Sequence, residues 1–365
     1  MIDAPWVGYL LAFVVAAAVA LVLTPLAIRA AVRFGLLDEP SDRKAHEVAT
    51  PYLGGLAMVV GFTLAVGVAA VLVPGVAGVI PDLGLVLGLG VLLAALGLVD
   101  DLRGVGVGLR LGAQVAVALA LWAGDNRIGV TSVEWLDLIL TLVWVVGITN
   151  AMNLLDNMDG LSAGIATIAA LWFGLIGALN GQVLVASLSF GLAGCALGFL
   201  RHNRPPARIY MGDAGSLFLG MMLATVGIRL DLPVHPVSAA LIPILVLTVP
   251  VLDTTLVVAA RLRHGISPFQ GGRDHTSHRL VQVGLPVPVA VMLIAIAGLA
   301  HGWVALLVTR VDTVTAVLLA GLVFALDAVL FALLARVPVY DNSRGPDLVI
   351  GPRSAHADDG QEPPR

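Results

Sequence analysis

Four groups of Asp, Asn and His residues stand at the ends of long apolar segments of this 365-residue chain. Carboxylates are costly next to hydrocarbon, so their placement there favours a chemical role. All four groups fall on the same side of the predicted membrane. Together they predict one metal-assisted site that acts on a lipid with a charged head group. The groups are Asp100 and Asp101; Asn150, Asn153, Asp156, Asn157 and Asp159; Asp213 with Ser216; and Asp274, His275, His278 and Arg279.

The first group, Asp100 and Asp101, ends the third apolar segment. Two adjacent carboxylates repel each other, and this repulsion favours a bound cation. A polar stop at the end of a helix is the alternative, and the pair alone does not decide between the two.

The second group combines amides with acids. Asn150, Asn153 and Asn157 recur at intervals of three and four, so they share one face of a continuing helix. Asn amides can hydrogen-bond a uracil, a sugar hydroxyl or a metal-bound water. Carboxylates with Asn and water suit Mg²⁺, for which Asp156 and Asp159 are available. A capped, hydrated helix end is the alternative, but five such residues within ten positions favour a binding site.

The third group opens the eighth apolar segment with the sequence MGDAGS, residues 211–216. Small residues let the backbone approach a ligand closely, and amides at a helix start favour an anion such as phosphate. Asp213 is placed to bind Mg²⁺ beside that anion. An ordinary N-cap by Asp213 or Ser216 is the alternative.

The fourth group lies in a basic loop, residues 261–281, where Arg residues alternate with His. Cations of this kind suit a pyrophosphate. His275 and His278 are three apart and could face one ligand, although nothing completes a tetrahedral zinc set. Contact with lipid head groups is the alternative.

Three further polar features have weaker signals. Lys44, the only lysine of the chain, and His46 lie in the first basic loop, where a phosphate contact and an orientation-setting charge are equally open. Asp253 lies deeper in an apolar segment, where it either supports the site or pairs with a neighbouring span. Asp327 has no polar neighbour in sequence, so we assign it a structural role.

The elements that must position these residues are transmembrane helices. A chain that is 59% hydrophobic and 12% charged has no solvated shell and must be integral to a membrane. Strand-like alternation is absent, so we predict an all-α polytopic protein. We predict about eleven spanning segments, namely 7–31, 54–73, 83–99, 109–123, 133–149, 160–179, 182–200, 215–230, 237–260, 286–308 and 314–335.

Basic residues set the orientation of these spans. One side carries seventeen of the twenty Lys and Arg residues, and the other side keeps only Arg127, Arg229 and Arg310. The N-terminus is therefore predicted outside, the C-terminus in the cytoplasm, and the four polar groups at the cytoplasmic face of the plasma (inner) membrane. Residues 1–336 form the predicted membrane domain, and 337–365 a disordered cytoplasmic tail.

In their order along the chain and their position on one side of the membrane, these groups resemble those of the polyprenyl-phosphate N-acetylhexosamine-1-phosphate transferase superfamily, glycosyltransferase family 4. The resemblance runs from about Leu36 to Arg279 and is strongest to the bacterial UDP-GlcNAc:undecaprenyl-phosphate GlcNAc-1-phosphate transferase branch. This chain departs from the family pattern at Asn157, where Gly is usual, and at Ser277, where the middle His of a His-x-His-His pattern is usual.

The resemblance implies roles for individual residues. The metal it implies is Mg²⁺, for which Mn²⁺ can substitute, and Asp100 would be the base for the lipid phosphate. The catalytic residues would be Asp100, Asp101, Asp156 and His275. The substrate-binding residues would be Lys44, His46, Asn150, Asn153, Asp159, Arg273, His278 and Arg279. The metal-binding residues would be Asp101, Asn153, Asp156 and Asp213.

The implied reaction is attack of a polyprenyl phosphate on the β-phosphate of a UDP-sugar, with loss of UMP, as the first step of lipid-linked envelope glycan synthesis. The expected partners are the UDP-sugar, the polyprenyl phosphate and the bilayer, without nucleic acid, and a homodimer is left open. The alternative is the phospho-N-acetylmuramoyl-pentapeptide transferase of peptidoglycan synthesis, whose usual triple His is missing here. A remote alternative is a proton-coupled carrier that uses Asp253 and Asp327.

Overall fold

The computed structural model describes residues 4–38, 49–72, 80–131 and 133–340. Within these ranges the chain forms helices and one short antiparallel pair of strands. The elements are α1 (Ala4–Phe34), β1 (Leu37–Asp38), β2 (Thr50–Pro51), α2 (Gly54–Leu72), α3 (Ile80–Arg103), α4 (Val107–Ala123), α5 (Glu134–Leu155), α6 (Leu161–Leu179), α7 (Val183–Asn203), α8 (Gly212–Ile228), α9 (Pro236–Val246), α10 (Thr248–Arg263), α11 (Thr276–Gln282), α12 (Val287–Val308) and α13 (Thr313–Ala335).

The prediction of an all-helical, multi-pass membrane protein is confirmed. Eight helices of the described part are long and apolar enough to cross a membrane, and α9 with α10 meets the same criterion as a bent pair. Helices α4 and α8 are apolar but shorter, at 17 residues each. Each of the eleven predicted segments coincides with one of these helices or with the bent pair.

The segment predicted as one span at 237–260 is two helices that meet at an angle of 71°. Proline has no N–H and its ring crowds the preceding turn, so it interrupts a helix. Pro243 lies inside α9 and Pro250 in the first turn of α10, on either side of the break at Leu247. The chain therefore changes direction a few residues before Asp253.

Helix α8 is the centre of the bundle, because every residue from Ala214 to Gly227 is buried. A helix that is apolar all round must be enclosed by others, and here α3 and α5 pack closely along it. Glycine permits the close approach: a Cβ at Gly97 of α3 would lie 2.4 Å from the backbone of Asp213. This packing brings the C-terminal ends of α3 and α5 to the start of α8.

Candidate active site

The start of α8 is capped by a carboxylate from another helix. Asp101, at the end of α3, accepts hydrogen bonds from the backbone N–H of Asp213 at 3.0 Å and of Ala214 at 3.3 Å. Free N–H groups and the helix dipole both favour this negative charge. Gly212 has a φ of +67°, and a Cβ there would lie 2.4 Å from Oδ2 of Asp101. The anion that the sequence predicted at this helix start is thus supplied by the protein itself.

Arg110 of α4 joins the two acidic groups. Its Nη1 donates to Oδ2 of Asp100 at 2.9 Å and to Oδ2 of Asp213 at 3.0 Å. The backbone N–H of Val105 donates to the other oxygen of Asp100 at 2.5 Å. In the sequence Arg110 is predicted only as one of the basic residues that set the orientation of the spans. Its position at the start of an apolar helix, ten residues after an acidic pair, is the signal that could have placed it in the site.

Asn153 lies on the opposite side of Asp213. Its Nδ2 donates to Oδ1 of Asp213 at 2.8 Å and to Oγ of Ser216 at 2.9 Å. One turn deeper, Nδ2 of Asn150 donates to Oε1 of Gln114 at 2.5 Å. Gln114 is fully buried on α4 and was not among the predicted site residues. These contacts join α4, α5 and α8, and they confirm that the predicted Asn and Asp groups meet.

Asp156 follows the last residue of α5 and is short of partners. Burial first, and then the charges of Asp213, Asp101 and Asp159, raise the pKa of Asp156 to about 8. Within the described part of the chain its carboxylate accepts no hydrogen bond. The corner between α3, α5 and α8 therefore holds more carboxylates than the protein alone keeps ionised at neutral pH.

The donor chemistry of this corner fits Mg²⁺. Among the described residues no group of three His, Cys, Asp or Glu side chains is arranged to enclose a metal ion. Mg²⁺ does not need such a group, because it commonly binds one or two carboxylates together with water and substrate phosphates. Asp156, with Asp101 and Asp213 near it, offers hard oxygen donors, and a divalent cation would favour their ionised forms.

Asp159 has a different task from the predicted substrate contact. Its Oδ2 accepts a hydrogen bond from the backbone N–H of Ala207 at 2.8 Å. The next residue, Gly160, donates its N–H to Oδ1 of Asn203 at 3.0 Å. Both bonds fasten the turn after α5 to the loop between α7 and α8, so we treat Asp159 as a residue that shapes the site.

His275 is oriented by the buried Asp253. Nδ1 of His275 lies 2.8 Å from Oδ2 of Asp253, and the backbone N–H of Thr276 donates to Oδ1 of Asp253 at 2.7 Å. All described hydrogen bonds of the His275 ring are on Nδ1. Of the two readings of Asp253, support of the site and pairing with a neighbouring span, the structure favours the first.

His278 is neutral rather than cationic. Burial first, and then the charges of His275 and Arg273, lower the pKa of His278 to about 3. The two imidazole centroids are 5.8 Å apart. Nδ1 of His278 is buried and has no hydrogen-bond partner among the described residues. His278 could thus contact a substrate through a hydrogen bond but not through charge.

The two positions at which this chain departs from the family pattern contact each other. Oγ of Ser277 donates to Oδ1 of Asn157 at 2.6 Å. Nδ2 of Asn157 donates to the carbonyl of Leu154 at 2.8 Å. This pair connects α11 to the turn after α5, so it brings the His group next to the Asp and Asn groups.

Arg279 does not fit its predicted role as a substrate contact. Its side chain is 1% exposed. Its Nε donates to the carbonyl of Asp274 at 2.9 Å, and its Nη1 donates to the carbonyls of Leu334 at 2.9 Å and Val337 at 3.0 Å. A guanidinium that donates three hydrogen bonds to backbone carbonyls holds chain segments together, so Arg279 has a structural role rather than the predicted substrate contact.

The remaining predicted residues are less constrained. Arg273 is half-buried near His278, and its contact with substrate stays a prediction. Lys44 and His46 lie outside the described residues.

Comparisons with known proteins agree with this arrangement. Residues 83–231 match the family described as Glycosyl transferase family 4, a range that includes Asp100, Asp156 and Asp213. A Bacillus subtilis protein named probable undecaprenyl-phosphate N-acetylglucosaminyl 1-phosphate transferase is 32% identical over 82% of this chain and 84% of its own length. The Mycolicibacterium smegmatis decaprenyl-phosphate N-acetylglucosaminephosphotransferase is 37% identical over 72% of this chain and 73% of its own. The Escherichia coli K12 undecaprenyl-phosphate alpha-N-acetylglucosaminyl 1-phosphate transferase is 27% identical over 74% of this chain and 75% of its own length.

Proposed function

Because this chain belongs to glycosyl transferase family 4, we propose that the corner between α3, α5 and α8 performs a sugar-phosphate transfer. The chain transfers N-acetylglucosamine 1-phosphate from UDP-GlcNAc to a membrane polyprenyl phosphate and releases UMP. The observation that carries this proposal is the junction of Asp101, Asn153 and Arg110 around Asp213 at one end of an apolar bundle. Half-buried carboxylates at that end suit a reaction between a phosphorylated lipid and a nucleotide.

The reaction is a phosphoryl transfer. An oxygen of the polyprenyl phosphate forms a bond to the β-phosphorus of UDP-GlcNAc. The bond from that phosphorus to the oxygen that bridges the two phosphates breaks, and UMP leaves with the bridging oxygen. The acceptor phosphate is already largely ionised at neutral pH, so positioning contributes more than proton removal.

The protein contributes positioning and charge. Asp156, Asp101 and Asp213 would hold Mg²⁺ or Mn²⁺, which neutralises charge on the pyrophosphate when bound. The guanidinium of Arg110 fixes Asp100 and Asp213 relative to each other. Asp253 holds the His275 ring through Nδ1, which leaves Nε2 for contact with a substrate.

The donor is UDP-GlcNAc rather than UDP-MurNAc-pentapeptide. The pentapeptide branch usually has three consecutive His in this loop. This chain has only two His between positions 275 and 278, and Ser277, which lies between them, bonds to Asn157. The relatives described above are all named for N-acetylglucosamine transfer. Competition tests this choice: equal amounts of both donors with limiting prenyl phosphate should yield mainly the GlcNAc lipid by mass spectrometry. A dominant muramoyl-pentapeptide product would refute the donor assignment and leave the chemistry standing.

We further propose that all eleven apolar segments cross the membrane, with the N-terminus outside and the site at the cytoplasmic face of the plasma membrane. The basic asymmetry of the loops supports this orientation. Ser267→Cys and Arg127→Cys, each in a Cys195→Ser background, form a matched test, since Cys195 is buried and both new positions are exposed. In intact cells an impermeant thiol reagent should label only the Arg127→Cys variant. Labelling of the Ser267→Cys variant would show that the proposed orientation is wrong.

A further inference from the structure

The chain beyond the last long helix packs against the loop that carries His275. We name residues 336–340 the C-terminal strap; they follow α13 directly. Within the strap, Val339 is only 4% exposed, and the ring of Tyr340 lies 4.5 Å, centroid to centroid, from that of His264. Residues 337–365 are predicted from the sequence to form a disordered tail. Residues 337–340 instead pack on the membrane domain, and residues after 340 lie outside the described part.

The strap ends on a buried ion pair. Arg261 donates from Nε to Oδ2 and from Nη2 to Oδ1 of Asp274, both at 2.8 Å, and from Nη1 to the carbonyl of Pro268 at 2.7 Å. The hydroxyl of Tyr340 donates to Oδ2 of the same carboxylate. A buried ion pair is stable only when its remaining hydrogen-bonding positions are filled. Tyr340 fills one such position on Asp274.

Arg279 connects the strap to the loop a second time. It donates to the carbonyls of Leu334 and Val337 on the strap side and of Asp274 on the loop side. The residue after Asp274 is His275, whose ring is held by Asp253. The backbone next to His275 is therefore fixed from two directions, by Asp253 of α10 and by the strap through Asp274.

We propose that the C-terminal strap is a positioning element for the site and that Tyr340 is a positioning residue, which acts through Asp274 on His275. The proposal rests on the proposed transferase function for its kinetic part only. Without the Tyr340 hydroxyl, the Asp274 carboxylate keeps Arg261 but loses its direct bond to the strap, and only the Arg279 link remains. The loop then spends less time in the arrangement that aligns His275, and small misalignments lower the rate strongly.

The test compares Tyr340→Phe with Tyr9→Phe in the full chain. Each variant removes one hydroxyl, and Tyr9 stacks on Phe190 in another part of the bundle. We expect Tyr340→Phe to lower kcat about tenfold and to leave KM for UDP-GlcNAc within about twofold, while Tyr9→Phe leaves both unchanged. We also expect faster hydrogen–deuterium exchange in peptides that cover residues 268–280, with the same thermal midpoint as the control.

The two readouts separate the possible failures. If wild-type protein shows no transfer but Tyr340→Phe still loosens residues 268–280, the proposed function fails and the bracing role of the strap stands. If exchange is unchanged or if kcat matches the Tyr9→Phe control, the positioning role is refuted. Asp274→Asn is a second variant: it keeps the side-chain shape, removes the charge that Arg261 and Tyr340 share, and should lower kcat at least as much as Tyr340→Phe.

Discussion

Two regions of the bundle hold carboxylates close to hydrocarbon, and they satisfy them differently. Between α12 and α13, Asp327 meets His301 at 3.0 and 3.1 Å, so one acid has one basic partner. At the corner between α3, α5 and α8, Asp101, Asp156 and Asp213 lie near one another, and among the described residues Arg110 is the one cationic side chain bonded to this corner. The first region is complete within the protein, whereas we propose that a cation and a substrate complete the second. Incomplete neutralisation therefore marks the functional carboxylates better than burial does.

Asp253 falls between these two cases. Like Asp327 it is buried and paired with one His, but its partner His275 belongs to the candidate site. Intramembrane acids are often read as parts of a proton pathway. Here each of the two deep acids has a local imidazole partner and the acids of the candidate site collect at one end of the bundle, so this arrangement does not favour the carrier alternative.

The largest expected effect comes from metal removal, which tests whether the carboxylates at the corner between α3, α5 and α8 act through a bound cation. Purified protein in detergent should form no prenyl-pyrophosphoryl sugar in EDTA and should recover on addition of excess Mg²⁺ or Mn²⁺. Product would be followed with radiolabelled UDP-GlcNAc, with omission of either substrate as the control. Full activity in EDTA would show that the corner acts without a metal.

Neutralising one acid of the corner should be nearly as damaging. We expect Asp213→Asn to lower turnover about a hundredfold or more, because one charge on a metal contributes about 3 kcal/mol or more to a phosphoryl transition state. The amide keeps the size of the side chain, so gel-filtration profiles should match wild type. Asp156→Asn and Asp100→Asn should behave alike. Near-normal turnover by Asp213→Asn would move the metal site elsewhere.

A smaller loss is expected for Asp253→Asn, which tests the intermediate case. The amide keeps a hydrogen bond near His275 but loses the charge that orients the ring, and we expect turnover to fall about ten- to a hundredfold. The measurement is kcat from UMP release. Wild-type kcat in this variant would place Asp253 in the same structural class as Asp327.

The smallest effect is expected for Asp327→Asn. Its bond to His301 joins two outer helices, and hydrogen bonds between membrane helices contribute about 0.6 kcal/mol on average. Turnover should stay within about twofold of wild type, with a slightly lower thermal midpoint in detergent. A loss of turnover comparable with that of Asp253→Asn would contradict the contrast between the two regions.

The fold followed from sequence to a large extent because the length and apolarity of a segment are local properties. Each predicted span coincides with a helix of the described part or with the bent pair. The segment 237–260 was predicted as one span because it is mostly apolar and of spanning length. Pro250, three residues before Asp253, indicated a broken helix, but the sequence did not place the bend at Leu247. Backbone hydrogen bonding decides such breaks, and hydropathy does not register it.

The sequence by itself determined the membrane class, the helical segments, and which Asp, Asn and His residues stand at helix ends. The tertiary structure alone decided which of them are satisfied and by which partner. Arg110 and Asp213 are 103 positions apart, and Tyr340 and Asp274 are 66 apart. Such pairs depend on how helices pack around α8, and no local pattern encodes that packing. The same dependence separates Arg279, which donates three hydrogen bonds to backbone carbonyls, from Asp156, whose carboxylate accepts none from the described residues.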